Sequence, residues 1–373
     1  MILILFVDAL GYHYLDDPEI SENSRKLFES IVPAESFLAY SAGIHASIWT
    51  SSHIADHGKW LSYYLENFPE KEIRISNFLW KMQSAATFIS KRLTGNYDKY
   101  YVPKVLSRYF RKSDYDFDNP FYHEKIPSLF KVLEENNINF QFSHLTTTKE
   151  IQVTSLVHDV NVIFTDEFDA LGHKMGPNSN EIKKRILDSL TEVEKIMEKE
   201  KDLAIFLFSD HGMNEITQRL NFSRHLKHLR KCGYKLGKDY VFFTDSTLIR
   251  FWTKSEKINE TIFEVLSKEP CHFLTSEDKA KYKIPSTGSF GDLIFLANPG
   301  VEVFPNFFHP SYSSFVKGLH GYAPENRNSY GLFATNMELK SKSFSLLDIS
   351  PTILKFLGVK KPKIWKGKVH DLH

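Results

Sequence analysis

The stretch ILILFVDALG, residues 2–11, decides the fold class. Its first six residues are all apolar, and the run stops at Asp8. A strand with one face in water would alternate apolar and polar residues. An unbroken run this short suits a strand buried on both faces, as in a parallel sheet covered by helices. A secretory leader is a poorer reading, because no basic segment opens the run and Asp8 ends it early.

Similar runs recur at Asn139–Phe142, Val160–Thr165 and Leu203–Ser209. Between them, Ile126–Asn136 (IPSLFKVLEEN) and Asn180–Lys199 are amphipathic at helical spacing. This rhythm predicts an α/β fold, a mostly parallel sheet flanked by helices. The loops at the carboxyl ends of such strands usually form the site. Two stretches break the rhythm. Residues 60–122 are aromatic and charged with weak periodicity, and read as an insertion. Residues 215–317 hold strand candidates of their own at Tyr240–Phe243, Thr247–Trp252 and Asp292–Ala297, and read as a small α+β cap. With no internal repeat and no low-complexity linker, residues 1–373 read as one domain carrying both.

A formal charge of +1 over 373 residues exerts no global pull toward nucleic acid or membrane, and no nucleic-acid-binding domain is expected. Cys232 and Cys271 are too few for a disulfide framework, so a reducing compartment is expected. No apolar stretch approaches the roughly 18 residues of a membrane span. The expectation is a soluble, cytoplasmic protein of undetermined oligomeric state.

Asp and His gather just after the strand-like runs. Asp8 ends the first. Asp169 and His173 lie in TDEFDALGH, beyond Val160–Thr165, and Asp210 and His211 follow AIFLFS. His320 sits in GLHGY. An Asp after a strand is ordinarily a turn or cap residue, and a His in a Gly-flanked loop is ordinarily structural. Together at one sheet edge they form a set of carboxylate and imidazole donors suited to divalent metals, zinc above all. With a serine oxygen they suffice for two ions, which could clamp the attacking and leaving oxygens of a phosphoryl displacement.

The segment YSAGIHASIWTSSHIADHG, residues 40–58, opens with small residues and continues as a short helix. Ser41 falls at the helix start, where free backbone N–H groups favour a phosphate or a metal-bound alkoxide. It could equally be a simple N-cap. Ser36, Ser47, Thr50 and Ser51 are rival hydroxyls, with Ser47 and Thr50 inside the helical pattern.

In this order the segments resemble the type I phosphodiesterase and nucleotide pyrophosphatase branch of the alkaline phosphatase superfamily. FVDALG resembles its opening metal-binding strand, which implies a metal role for Asp8. SAGIHASIWTSSHIADHG resembles the nucleophile helix, which implies Ser41 as nucleophile, His45 as the following His, and His57–Gly58 as a structural closure. DALGHKMGP implies Asp169 and His173 as ligands of one ion, completed by His320 of GLHGYAP. SDHGM implies Asp210 and His211 on the other ion, beside Asp8 and Ser41. SLLDISPTILKFLGVKKP resembles the closing structural helix. The cofactor implied is two divalent ions, Zn²⁺ first and Mn²⁺ or another as alternatives. The partner implied is a small phosphoester or nucleotide.

The chain also departs from the family pattern. Diesterase members usually carry an Asn downstream of the nucleophile helix. Its place falls near Leu61–Ser62 and holds no Asn, leaving Ser62, Lys59 or Tyr63 as substitutes. The usual Gly after the helix Thr is Ser51, and the usual Pro before His57 is missing. Neither the Pro-x-Arg of sulfatases nor the Arg of phosphomonoesterases accompanies Ser41, which favours a phosphodiester or nucleotide pyrophosphate substrate. A phosphomonoesterase, phosphonate hydrolase or phosphotransferase is the alternative on the same scaffold, and a non-catalytic binding module a further one. Within the insertion, Lys91, Arg92, Lys99, Lys104, Arg108, Arg111 and Lys112 interleave with Tyr97, Tyr100, Tyr101, Tyr109 and Phe110. Such a run can hold an anionic ligand with a flat ring, Lys104 and Arg108 included, or rest on an anionic membrane surface.

Overall fold

The strand Ile2–Val7 is buried at all six residues and pairs in parallel with Val160–Thr165 on one side and Ala204–Phe208 on the other. It lies in a sheet that, in the computed structural model, has seven strands among the described residues. Those residues are 1–94, 100–113, 125–150, 156–309 and 316–373. The sheet order is Phe344–Ser345, Ser30–Glu35, Gly331–Thr335, Ala204–Phe208, Ile2–Val7, Val160–Thr165, Phe140–His144. Only Gly331–Thr335 runs against its neighbours, so the sheet is mostly parallel.

The alternation of side chains along Ile2–Val7 builds the layers. Leu3, Leu5 and Val7 join Ile163, Ile205 and Leu207 in a core covered by Ile182, Ile186, Leu190, Val193 and Ile196 of the helix Asn180–Lys199. Phe6 points the other way. Its ring meets His45 at 4.5 Å and Trp49 at 5.8 Å, both on the helix Ser41–Thr50. That helix therefore packs on the opposite face of the same strand.

The described residues divide into two compact units. The first comprises Met1–Trp60, Tyr115–Glu215 and Ala323–His373, and holds the large sheet. The second comprises Leu61–Asp114 and Ile216–Tyr322. It is α+β, built on an antiparallel sheet in the order Tyr240–Thr244, Leu248–Thr253, Leu293–Ala297, Cys271–Phe273. Val102, Leu106 and Phe110 share one core with Phe242, Phe251, Ile258 and Val303. The expected insertion and the expected cap thus belong to a single core. Tyr63–Leu65 pairs antiparallel with Phe110–Lys112 to close the first of them on itself.

Candidate functional site

Register delivers the first two carboxylates. Phe6 sits opposite Phe208 on adjacent parallel strands, so Asp8 and Asp210, each two residues on, leave the sheet at the same carboxyl edge. Ala9 then takes a left-handed conformation, φ 62°, which turns the chain sharply after Asp8. Its N–H donates to Asp210 Oδ1 at 3.2 Å.

His211 follows with its ring fixed. A carbonyl only accepts, so the 2.9 Å contact of Nδ1 with Gly212 O makes Nδ1 the protonated nitrogen and Nε2 the lone-pair nitrogen. Three oxygens surround that one atom within the first unit. Ser41 Oγ is 3.1 Å away, Asp210 Oδ2 3.3 Å and Asp8 Oδ1 3.4 Å. The helix Ser41–Thr50 begins at Ser41, and its N-cap, Tyr40, offers no capping side chain. Gly43 lets this helix lie against the next loop: a Cβ there would stand 2.8 Å from Lys59 O and 2.9 Å from Trp60 O.

One turn on from Ser41, His45 Nε2 reaches Asp210 Oδ2 at 3.2 Å. Burial holds the His45 imidazole below its usual pKa, hence neutral, so it donates to the carboxylate. Sequence pattern alone assigned His45 no such contact. Burial opposes charge on Asp210, but His211, His45 and the Ala9 N–H outweigh it and bring its pKa down to about 2. Asp8 is pushed well up, by burial first and then by Asp210 and Asp169. Its Oδ1 is buried without a hydrogen bond.

An orphaned carboxylate oxygen beside a second carboxylate is what a cation would resolve. Donors bound tetrahedrally at about 2.0–2.2 Å lie about 3.3–3.6 Å apart, and octahedral donors at about 2.1 Å lie about 3.0 Å apart. The three separations from His211 Nε2, 3.1 to 3.4 Å, fall across these ranges. One imidazole and three oxygens fit a divalent ion without choosing between zinc and manganese.

Asp169 and His173 sit one turn apart on the helix Glu167–Met175, with His173 Nε2 at 3.3 Å from Asp169 Oδ1. The Asp169 carboxylate also lies within 4.8 Å of a ring nitrogen of His211. His320 follows the short strand Gly318–Leu319 and belongs to the second unit.

The rival hydroxyls have other partners. Ser36 Oγ donates to Asp210 O at 2.6 Å, Thr50 Oγ1 to Ala46 O at 2.6 Å, and Ser47 Oγ meets His57 Nε2 at 2.9 Å. Ser51, standing where the family pattern has Gly, is left-handed at φ 44°. Its hydroxyl donates to Leu347 O at 2.8 Å and accepts from Gly367 N at 3.0 Å.

Of the expected substrate contacts, Lys59 lies in the first unit, its backbone N–H donating to His57 Nδ1 at 3.1 Å. Ser62, Lys104 and Arg108 lie in the second. Ser62 Oγ accepts from Tyr100 at 3.1 Å, Lys104 is exposed, and the Arg108 guanidinium rests 5.5 Å over the Tyr109 ring. Arg111 is paired with Glu66. Tyr97 and Lys99 lie outside the described residues.

Murine and human ectonucleotide pyrophosphatase / phosphodiesterase 5 share this fold. Each matches with a TM-score of 0.67 over 98% of this chain and 97% of its own, at 13% identity. A murine structure of an inactive variant in complex with AMP matches equally. The family model of type I phosphodiesterase / nucleotide pyrophosphatase covers residues 2–323. That span takes in the first strand, the Ser41 helix and every Asp and His singled out above, and the chain belongs to the type I phosphodiesterase / nucleotide pyrophosphatase family of phosphodiester-cleaving hydrolases.

Proposed function

We propose that this chain hydrolyses a phosphodiester or nucleotide pyrophosphate through a covalent phosphoserine at Ser41. The observation that carries the reading is the convergence of Ser41 Oγ, Asp8 Oδ1 and Asp210 Oδ2 on His211 Nε2. In this reading those four residues hold one divalent ion, and the sequence resemblance assigns Asp169, His173 and His320 to a second. Bound ions would supply an acidified serine hydroxyl and charge neutralisation at the phosphoryl oxygens.

The protein's own groups do the rest. The helix start places Ser41 Oγ with free N–H groups beside it, where a phosphoryl oxygen is favoured. His45 fixes Asp210, and the Nδ1–H bond to Gly212 O fixes His211. Ser41 Oγ attacks phosphorus and the leaving alcohol or phosphate departs with the P–O bond pair, taking up a proton. Water then attacks the phosphoserine, restoring the hydroxyl and releasing a phosphate monoester. AMP, held by the murine relative, has the chemistry of such a product. The two unpaired cysteines support a reducing, cytoplasmic setting for this activity.

Ser41→Ala tests the proposal, with bis(p-nitrophenyl) phosphate against p-nitrophenyl phosphate as substrates. Diesterase turnover should exceed monoesterase turnover and should fall by about 10⁴-fold or more in the variant, on the order of losses seen for other serine nucleophiles. Two in-line displacements should retain configuration at a chiral thiophosphate, and inversion would exclude the covalent route. A preference for the monoester would favour a phosphomonoesterase.

A further inference from the structure

The helix Asn77–Thr94 of the second unit leaves a row of large apolar residues uncovered. Phe78 is 69% exposed, Leu79 63%, Met82 57%, Ile89 56% and Leu93 80%. At 3.6 residues per turn these five fall within an arc of about 100°, with Ala86 inside the same arc. The opposite side is the docked one. Gln83 donates to Val102 O at 2.8 Å and accepts from Lys104 N at 2.9 Å, and Trp80 Nε1 donates to Tyr101 O at 2.8 Å. Ser84 on that side is buried. Trp80, which also packs against the Phe307 ring, and Gln83 thus help hold the helix to its unit, while the row from Phe78 to Leu93 faces outward. The other large exposed apolar residues among those described, such as Val157, Phe263 and Ile364, are scattered along the sequence. Single exposed residues need no explanation, but a contiguous stripe does.

Charge identifies the occupant. The helix has no Asp or Glu; Lys81 and Arg92 fall at helical positions flanking the Phe78 edge of the stripe, while the Lys91 ammonium is turned to the docked side, 4.9 Å over the Tyr101 ring. Two copies of this chain meeting stripe to stripe would bring like charges together. An apolar face with aromatic and Leu residues, accompanied only by cations, fits the boundary between headgroups and acyl chains of an anionic bilayer. We propose that Asn77–Thr94 is a membrane-surface helix, which inserts Phe78, Leu79, Met82, Ile89 and Leu93 into an anionic leaflet without spanning it. No helix among the described residues is long and apolar enough to cross a membrane. The proposal stands whether or not Ser41 is the nucleophile.

Flotation of the full chain with vesicles of phosphatidylcholine and phosphatidylglycerol tests it. The wild type should float with these vesicles, less at high salt, and at least tenfold less with phosphatidylcholine alone. A variant combining Phe78→Ser, Leu79→Ser, Ile89→Ser and Leu93→Ser should keep the wild-type circular dichroism and lose flotation at least tenfold. A control pair, Ile364→Ser with Val369→Ser, should float as the wild type does. Equal flotation of the stripe variant and the wild type, or no flotation of the wild type, would overturn the proposal. So would a wild-type dimer in sedimentation that the stripe variant abolishes, since the stripe would then belong to a second copy.

Discussion

In the first unit Asp8, Asp210 and His211 lie buried together, and the described partners of the two carboxylates are histidines and backbone N–H groups. In the second, Asp245 and Arg250 are wholly buried as a pair, Nε to Oδ2 2.7 Å. The Arg250 guanidinium also donates to Tyr63 O at 2.8 Å and lies 4.6 Å over the Phe243 ring. That cluster brings its own cation and has its hydrogen bonds made within the fold. The carboxylates of the first unit instead leave Asp8 Oδ1 unmet and resist their second charge. The difference separates a buried charge serving structure from one poised for a ligand. Both are strand-end Asp residues in the sequence, and only their partners tell them apart.

The comparison breaks if Asp245 proves dispensable. Asp245→Ala leaves Arg250 buried and unpaired, which should cost about 3–5 kcal/mol of stability in urea unfolding. It should leave metal content per folded chain unchanged. A loss below 1 kcal/mol, to use the scale of an exposed pair as the reference, would mean that the pair is not a structural element.

Asp210→Asn should act the other way. The amide oxygen can still accept from Ala9 N–H while the amide NH2 donates to a His45 ring that switches tautomer, so the fold should hold, while diesterase turnover should fall by about 10²–10³-fold with loss of charge at the site. Unchanged turnover would place the chemistry elsewhere.

His45→Ala sharpens the same contrast at smaller scale. It removes the hydrogen bond that orients Asp210 together with ring contacts to Phe6 and Phe164, and through the lost bond metal affinity or activity should drop by about 10–100-fold, the range for an outer partner of a metal ligand. Added divalent metal should restore much of the activity. A loss that metal does not restore would assign His45 to packing against Phe6 and Phe164 instead.

The parallel strands were legible because each is a short apolar run, and Ile2–Val7, Val160–Thr165 and the helix Asn180–Lys199 have the boundaries expected of them. Ser30–Glu35 was hidden, its residues being mostly half-buried and interrupted by Pro33. Proline is tolerated there because the outer neighbour pairs only with Ala34 and Glu35, which leaves Pro33 on an open edge. The reversed strand Gly331–Thr335, as long as Ala204–Phe208, was missed because Gly331, Ala334 and Thr335 dilute its apolar run. That 61–114 and 216–322 share a core depends on contacts between residues far apart in sequence, which no local periodicity records. At the site, Asp and His were visible as residue types at strand ends. The bonds that orient them, His45 to Asp210 and His211 to Gly212 O, depend on rotamers and register. Ser62, suggested as a substrate contact by its position relative to Ser41, accepts from the Tyr100 hydroxyl, a contact that no local pattern records.

The account rests on cations held by the Asp8, Ser41, Asp210 and His211 set, and metal analysis addresses this most directly. Chain purified without chelator should contain about two divalent ions, as a two-metal phosphoryl transfer requires. Chelation should abolish diesterase activity, and zinc or manganese should restore it. A metal-free chain that retains full activity would contradict the account.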